Sequence, residues 1–148
     1  MTQRLNYNAI APGGAKAFFG VYTYVAQSGL PAQLIELVYL RTSQINGCAY
    51  CIDMHASDLI KKGVAIQKLM LVQAWRDAGP LFDARERAAL ALTESVCNVA
   101  LAGVPDVDYD AAAALFPEAE LVDLTIAISL MNAYNRLSIT FRNTPAAH

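Results

Sequence analysis

The chain has 148 residues, 55% of them hydrophobic, with a net charge of −2 and a mean hydropathy of +0.31. That length fits one domain, residues 1–148, and buries about 70% of the unfolded surface, so its core needs no disulfide or metal. The mild acidity, without a basic stripe, argues against a nucleic-acid partner. The longest apolar run, Leu121 to Phe141, is broken by Asp123, Asn132, Asn135 and Arg136, which argues against a membrane span.

Helical spacing runs along the chain. After Pro12, the residues Ala15, Phe18, Phe19, Tyr22 and Val25 form a stripe that stops at Gly29. Pro31 opens a second helix, in which Leu34, Leu37, Val38 and Arg41 share a face; Asn46-Gly47 breaks it. A third helix is expected from Cys48 to Lys62, with Asn46 as its N-cap, and a shorter fourth from Ala65 to Asp77. Asp83 and Glu86 have capping-box spacing, opening a helix expected to run to Gly103. A short helix or turn follows from Val104. Pro117 then opens a last helix, apolar nearly all round until Asn132 and so expected to be buried on most sides. No strand pattern survives, and the fold class is all-α: a compact bundle of about six to seven helices. The surplus of apolar residues then implies burial in a homo-oligomer. The N-terminus lacks a signal-peptide run, so a cytoplasmic location is expected, where a close cysteine pair is redox-active or metal-binding more often than structural.

The chemistry concentrates in one stretch, "INGCAYCIDMH", which holds two of the three cysteines and one of the two histidines. The other histidine, His148, is terminal. At a helix start, Cys48 and Cys51 share a face within disulfide reach, and the free N–H groups there favour thiolate. His55 lies one turn beyond Cys51 on that face, within reach of a sulfur. Glu36 is the lone charge in "LIELVYL". Glu36 and His55 lie equally far from the turn near residues 45 and 46, so a helical hairpin brings them together. A carboxylate that orients an imidazole beside a thiol is the arrangement of an activated nucleophile.

Other readings of the same residues compete. Cys48, Cys51, His55 and Glu36 could ligate zinc, although no second Cys/His pair exists, or the thiols could be small core residues. Cys97, among apolar neighbours, reads as a core thiol, and Trp75 as a core or interface anchor. Tyr50 could wall a pocket. Asn132, Tyr134, Asn135 and Arg136 form a polar cluster that fits either the site or an interface. Asp53 and Asp58 fall on the solvated side of the third helix.

The stretch "ELVYLRTSQINGCAYCIDMH" resembles the alkylhydroperoxidase D-like proteins of the carboxymuconolactone decarboxylase superfamily. Their pattern is a Glu twelve positions before a CxxC, with a His four beyond the second Cys. Glu36, Cys48, Cys51 and His55 match it, and "AWRDAGPLFDARERAALALTE" and "LVDLTIAISLMNAYNRLSITFR" extend the resemblance over most of the chain. It implies an alkylhydroperoxidase D-like fold, a homotrimer or homohexamer, and a peroxiredoxin-type oxidoreductase with those four residues catalytic, without cofactor or metal. A small hydroperoxide would be the substrate and a lipoyl or thioredoxin-like dithiol protein the reductant. Cys51, beside His55, is the expected attacker, and Cys48, nearer the exposed helix end, the resolving thiol; helix-end logic alone would reverse them. Tyr50 stands where the best-studied member has His. The decarboxylase branch lacks the CxxC, so decarboxylation is not expected. The alternative is a non-catalytic oligomer whose thiols sense oxidants or bind metal.

Overall fold

Residues 2–146 are described by a computed structural model of the chain, in which every regular element is helical. The α-helices are α1 (Tyr7–Ile10), α2 (Pro12–Ala26), α3 (Ala32–Asn46), α4 (Ala49–Lys61), α5 (Ile66–Met70), α6 (Ala84–Cys97), α7 (Val99–Ala102), α8 (Asp106–Ala113) and α9 (Glu118–Phe141). Two 3₁₀ segments, Val72–Asp77 and Gly79–Leu81, lie between α5 and α6. The six helices of eight residues or more are the expected bundle.

Helix α3 is the central element and packs against α4, α6 and α9. Its sequence explains why: the whole run Leu34 to Leu40 is buried, so it has an apolar side for each of two cores. Leu34, Val38 and Tyr39 meet Leu124, Ile128 and Met131 of α9 in one. Leu37 and Leu40 meet Leu59 of α4, with Val72, Trp75 and Phe82, in the other. The capping box forms as expected, with the Asp83 side chain accepting from the Glu86 N–H and the Glu86 side chain from the Asp83 N–H.

Several expectations are corrected. The helix expected over 65–77 splits at Leu71 (φ −100°, ψ 3°), which ends α5 and precedes the 3₁₀ segment; inside that segment Ala74 (φ −118°, ψ 27°) leaves helical geometry, and Trp75 donates Nε1–H to Glu94 at 2.9 Å. The α6 helix stops at Cys97, not Gly103. There the Asn98 amide bonds back to the Glu94 carbonyl at 2.8 Å, and a side chain that competes for helix carbonyls weakens the ladder. Helix α9 is buried on one side only; Val122 on its other side is 57% exposed. That side borders an apolar groove of ≈ 500 Å³ shared with Phe18 and Val21 of α2 and with Tyr109. The α2 stripe is likewise half bare, since Val25 is buried but Phe19 is exposed. No helix among the described residues is long and apolar enough to cross a membrane.

Candidate active site

The site is built on the α3–α4 hairpin. Gly47 takes the left-handed conformation (φ 70°), which costs a glycine nothing, and ends α3. Its N–H bonds to the Gln44 carbonyl and the Cys48 N–H to the Ser43 carbonyl, closing the helix end. The chain thereby reverses within two residues. Asn46 is consequently the last residue of α3, and Cys48 (φ −86°, ψ 92°) is the N-cap of α4. The expected cap at Asn46 is thus displaced, because the glycine that ends one helix stands next to the start of the other. The Asn46 amide instead donates to Asn132 Oδ1 at 2.9 Å and Asn135 Oδ1 at 3.0 Å, while Asn135 donates to Ser43 Oγ at 3.1 Å. The polar cluster on α9 therefore has a position-holding role: it fastens the hairpin turn.

Cys48 and Cys51 form a disulfide with a Cα–Cα distance of 5.3 Å. No side chain caps this end of α4, so its free N–H groups and positive helix end act on the sulfurs. Both cysteines are 2% exposed, so Cys48 is not the more open one as expected. The distinction lies elsewhere. Cys51 borders a cavity of ≈ 220 Å³ with Tyr7, Phe19, Tyr22, Tyr50, Met54 and Tyr134; Cys48 does not.

The structure brings Glu36 and His55 together across the hairpin. His55 Nδ1 lies 2.8 Å from Glu36 Oε2, both residues being buried. A carboxylate only accepts, so Nδ1 carries the hydrogen and Nε2 presents a lone pair when the ring is neutral. Nε2 has no hydrogen-bond partner among the described residues.

Three residues of this site escaped sequence reasoning. Lys62 Nζ stands 3.7 Å from Glu36 Oε1. Tyr39 packs against His55 in a tilted arrangement, with ring centroids 5.1 Å apart. Burial, then the neighbouring Tyr22 and Glu36, push the Tyr39 hydroxyl far above the usual tyrosine range, so it stays a neutral donor. Tyr22 is pushed up too, by burial and then by Glu36 and Asp58. Spacing held a signal for two of them: Tyr39 follows Glu36 by three residues and Lys62 follows His55 by seven, each on the same helical face.

The remaining candidates lie apart from this constellation. Cys97 is half-buried at the end of α6 and accepts a hydrogen bond from Asn132 Nδ2 at 3.3 Å; burial raises its thiol above the ordinary range despite that bond, one with Thr42 and the nearby charges of Arg136 and Arg41. Trp75 is a core residue with Arg76 and Arg87 over its ring. Tyr134 lines the Cys51 cavity, while Arg136 bonds back to Asn132 on its own helix. Asp53 and Asp58 are half-buried, and Asp58 pairs with Lys61. Among the described residues no three His, Cys, Asp or Glu side chains cluster as a metal site; His148 lies outside the described residues.

Fold and site together define an all-helical protein with a thiol–disulfide centre beside a buried Glu–His pair. The chain belongs to the carboxymuconolactone decarboxylase family, whose sequence model matches residues 12–95, and within it is alkylhydroperoxidase D-like. It is 37% identical over 147 residues to the uncharacterized protein YdfG of Bacillus subtilis, covering 99% of each chain. A solved structure from Agrobacterium tumefaciens, a protein of unknown function assigned to AhpD-type antioxidant defence, superposes with a TM-score of 0.95 at 35% identity. That match covers 99% of this chain and 100% of the other. The alkyl hydroperoxide reductase AhpD of Coxiella burnetii is 49% identical over 39 residues, 26% of this chain and 22% of its own.

Proposed function

We propose that the protein is a thiol-dependent peroxidase that reduces organic hydroperoxides at Cys51 and Cys48 and is recycled by a dithiol protein reductant of lipoyl or thioredoxin-like type. The observation that carries this reading is the hydrogen-bonded Glu36–His55 pair behind a CxxC whose second sulfur borders a cavity. In the reduced state His55 Nε2, directly or across one water, takes the Cys51 proton, while Glu36 holds the ring and stabilises its charge. The Cys51 thiolate attacks the terminal peroxide oxygen. The O–O bond breaks, and the departing alkoxide takes the proton from His55 and leaves as alcohol. Cys51 is now a sulfenic acid. The Cys48 sulfur attacks it, the S–O bond breaks, and hydroxide leaves with the Cys48 proton as water. Two electrons have passed from the thiols to the peroxide. The reductant's thiolate then opens the disulfide and a second thiol completes exchange.

The bare apolar side of α9 and the half-exposed α2 stripe support assembly into a trimer or hexamer. A peroxide-consumption assay with several dithiol reductants tests the reading. Wild type consumes organic hydroperoxide and Cys51→Ser does not; equal rates would overturn it.

A further inference from the structure

The Cys51 cavity does not stand alone. Tyr7, Asn8 and Tyr50 also border a second cavity of ≈ 310 Å³, completed by Gln3, Asn6, Arg142, Asn143 and Thr144. The two differ in chemistry. The one at Cys51 is walled by aromatic and methionine side chains. The other is lined almost wholly by amides, hydroxyls and one guanidinium, and no carboxylate borders either.

Arg142 is the singular residue here. It is half-buried and has no ion-pair or side-chain hydrogen-bond partner among the described residues, whereas Arg41, Arg76 and Arg85 each hold a carboxylate. It also occupies the left-handed position that ends α9 (φ 58°), the one non-glycine residue with positive φ among those described. Helices usually give that position to glycine or asparagine, and a long cation held there at a backbone cost points to use of its side chain. The wall around it is tied down. The Arg4 N–H bonds to the Phe141 carbonyl and Gln3 Nε2 to Asn143 Oδ1, fastening the N-terminal segment to the end of α9.

We infer that the paired cavities form one ligand site for an amphipathic carboxylate: an aromatic or apolar body packs beside Cys51, and its anionic head pairs with Arg142. An uncompensated, partly desolvated guanidinium attracts a carboxylate through two parallel hydrogen bonds. The tyrosine and methionine walls supply apolar contact without fixing one shape. This deepens the reading of Cys51 as the reacting atom by naming the kind of organic group carried to it.

The test uses unreactive probes on the full chain in its disulfide form, so no turnover is needed. The probes are 3-phenylpropanoate, 4-phenylbutanoate and 6-phenylhexanoate, each with its amide, and binding is read by calorimetry. At least one acid binds about ten-fold or more tightly than its amide, the scale of one charge-assisted contact. Arg142→Gln loses that preference while still binding the amide, and Arg142→Lys keeps part of it. The preferred acid also slows dithiothreitol reduction of the Cys48–Cys51 disulfide in wild type and not, at the same concentration, in Arg142→Gln. Equal affinity for acids and amides, or an acid preference that survives in Arg142→Gln, overturns the proposal. Its failure is separable from failure of the peroxidase reading: acid binding that follows Arg142 supports this site even if Cys51→Ser still consumes peroxide.

Discussion

Glu36 and His55, nineteen residues apart, meet at 2.8 Å inside the α3–α4 hairpin, with Tyr39 packed at a tilt against the ring and Lys62 beside the other carboxylate oxygen. The contact leaves one imidazole nitrogen free to accept a proton. Glu36→Gln keeps the size of the side chain but removes the charge that steadies the ring. The thiol reaction near neutral pH should slow by about 10- to 10³-fold, somewhat less than the full worth of a general base, with the fold retained. Rates of thiol alkylation or peroxide reduction against pH measure this. Superimposable profiles would make Glu36 structural and leave activation to the α4 N-terminus.

Gly47 sets the position of the cysteine pair. A Cβ there meets no atom within 4 Å, so substitution adds only backbone strain. Gly47→Ala should lose about 1–2 kcal/mol of stability in urea unfolding, and Gly47→Asn less, since Asn visits this conformation more readily. Equal stability of all three proteins would show that the turn relaxes freely.

Glu94 joins three elements by accepting from Arg41 and Trp75, each at 2.9 Å, and from Arg76. Burial pushes its carboxyl upward, but the hydrogen bonds from Arg76, Trp75 and Arg41 and the Arg41 charge outweigh that and hold it below its ordinary value of 4.5. A lowered folded value means that the ionised group stabilises the fold fully above pH 4.5 and ceases to as pH falls through the folded value. Glu94→Gln should therefore cost about 2 kcal/mol at neutral pH and flatten the acid limb of the stability curve. A mutant whose loss is the same at every pH would contradict the linkage.

Cys97 should take no part in the thiol chemistry. Burial raises its thiol and leaves little thiolate at neutral pH. Mild oxidation followed by alkylation and peptide mass spectrometry should find Cys48 joined to Cys51 and Cys97 alkylated slowly, faster only in alkali. A Cys97 crosslink to either partner in place of the Cys48–Cys51 bond would remove the basis for the redox reading.

The α9 groove predicts the assembly. Light scattering should give three or six times the 16.0 kDa chain mass, and Val122→Arg, which places a charge in the groove, should release smaller species. A wild-type monomer at micromolar concentration would leave the surplus apolar surface without a role.

The helical class, the capping box at Asp83 and the meeting of Glu36 with His55 were legible in the order of residues alone. Each depends on spacing along one helix or across one short turn, where geometry is local. Tertiary structure decided the rest. Which residue caps α4 depended on α3 running through Asn46 to Gly47, further than a separate reading of the two helices allows. That Cys51 and not Cys48 borders the aromatic cavity depended on Tyr7, Phe19 and Tyr134 arriving from three different helices. The isolation of Arg142 from any carboxylate among the described residues depended on the N-terminal segment folding against the far end of α9. Contacts between segments more than a hundred residues apart have no periodic signature, because neither segment alone contains the surface that the other completes.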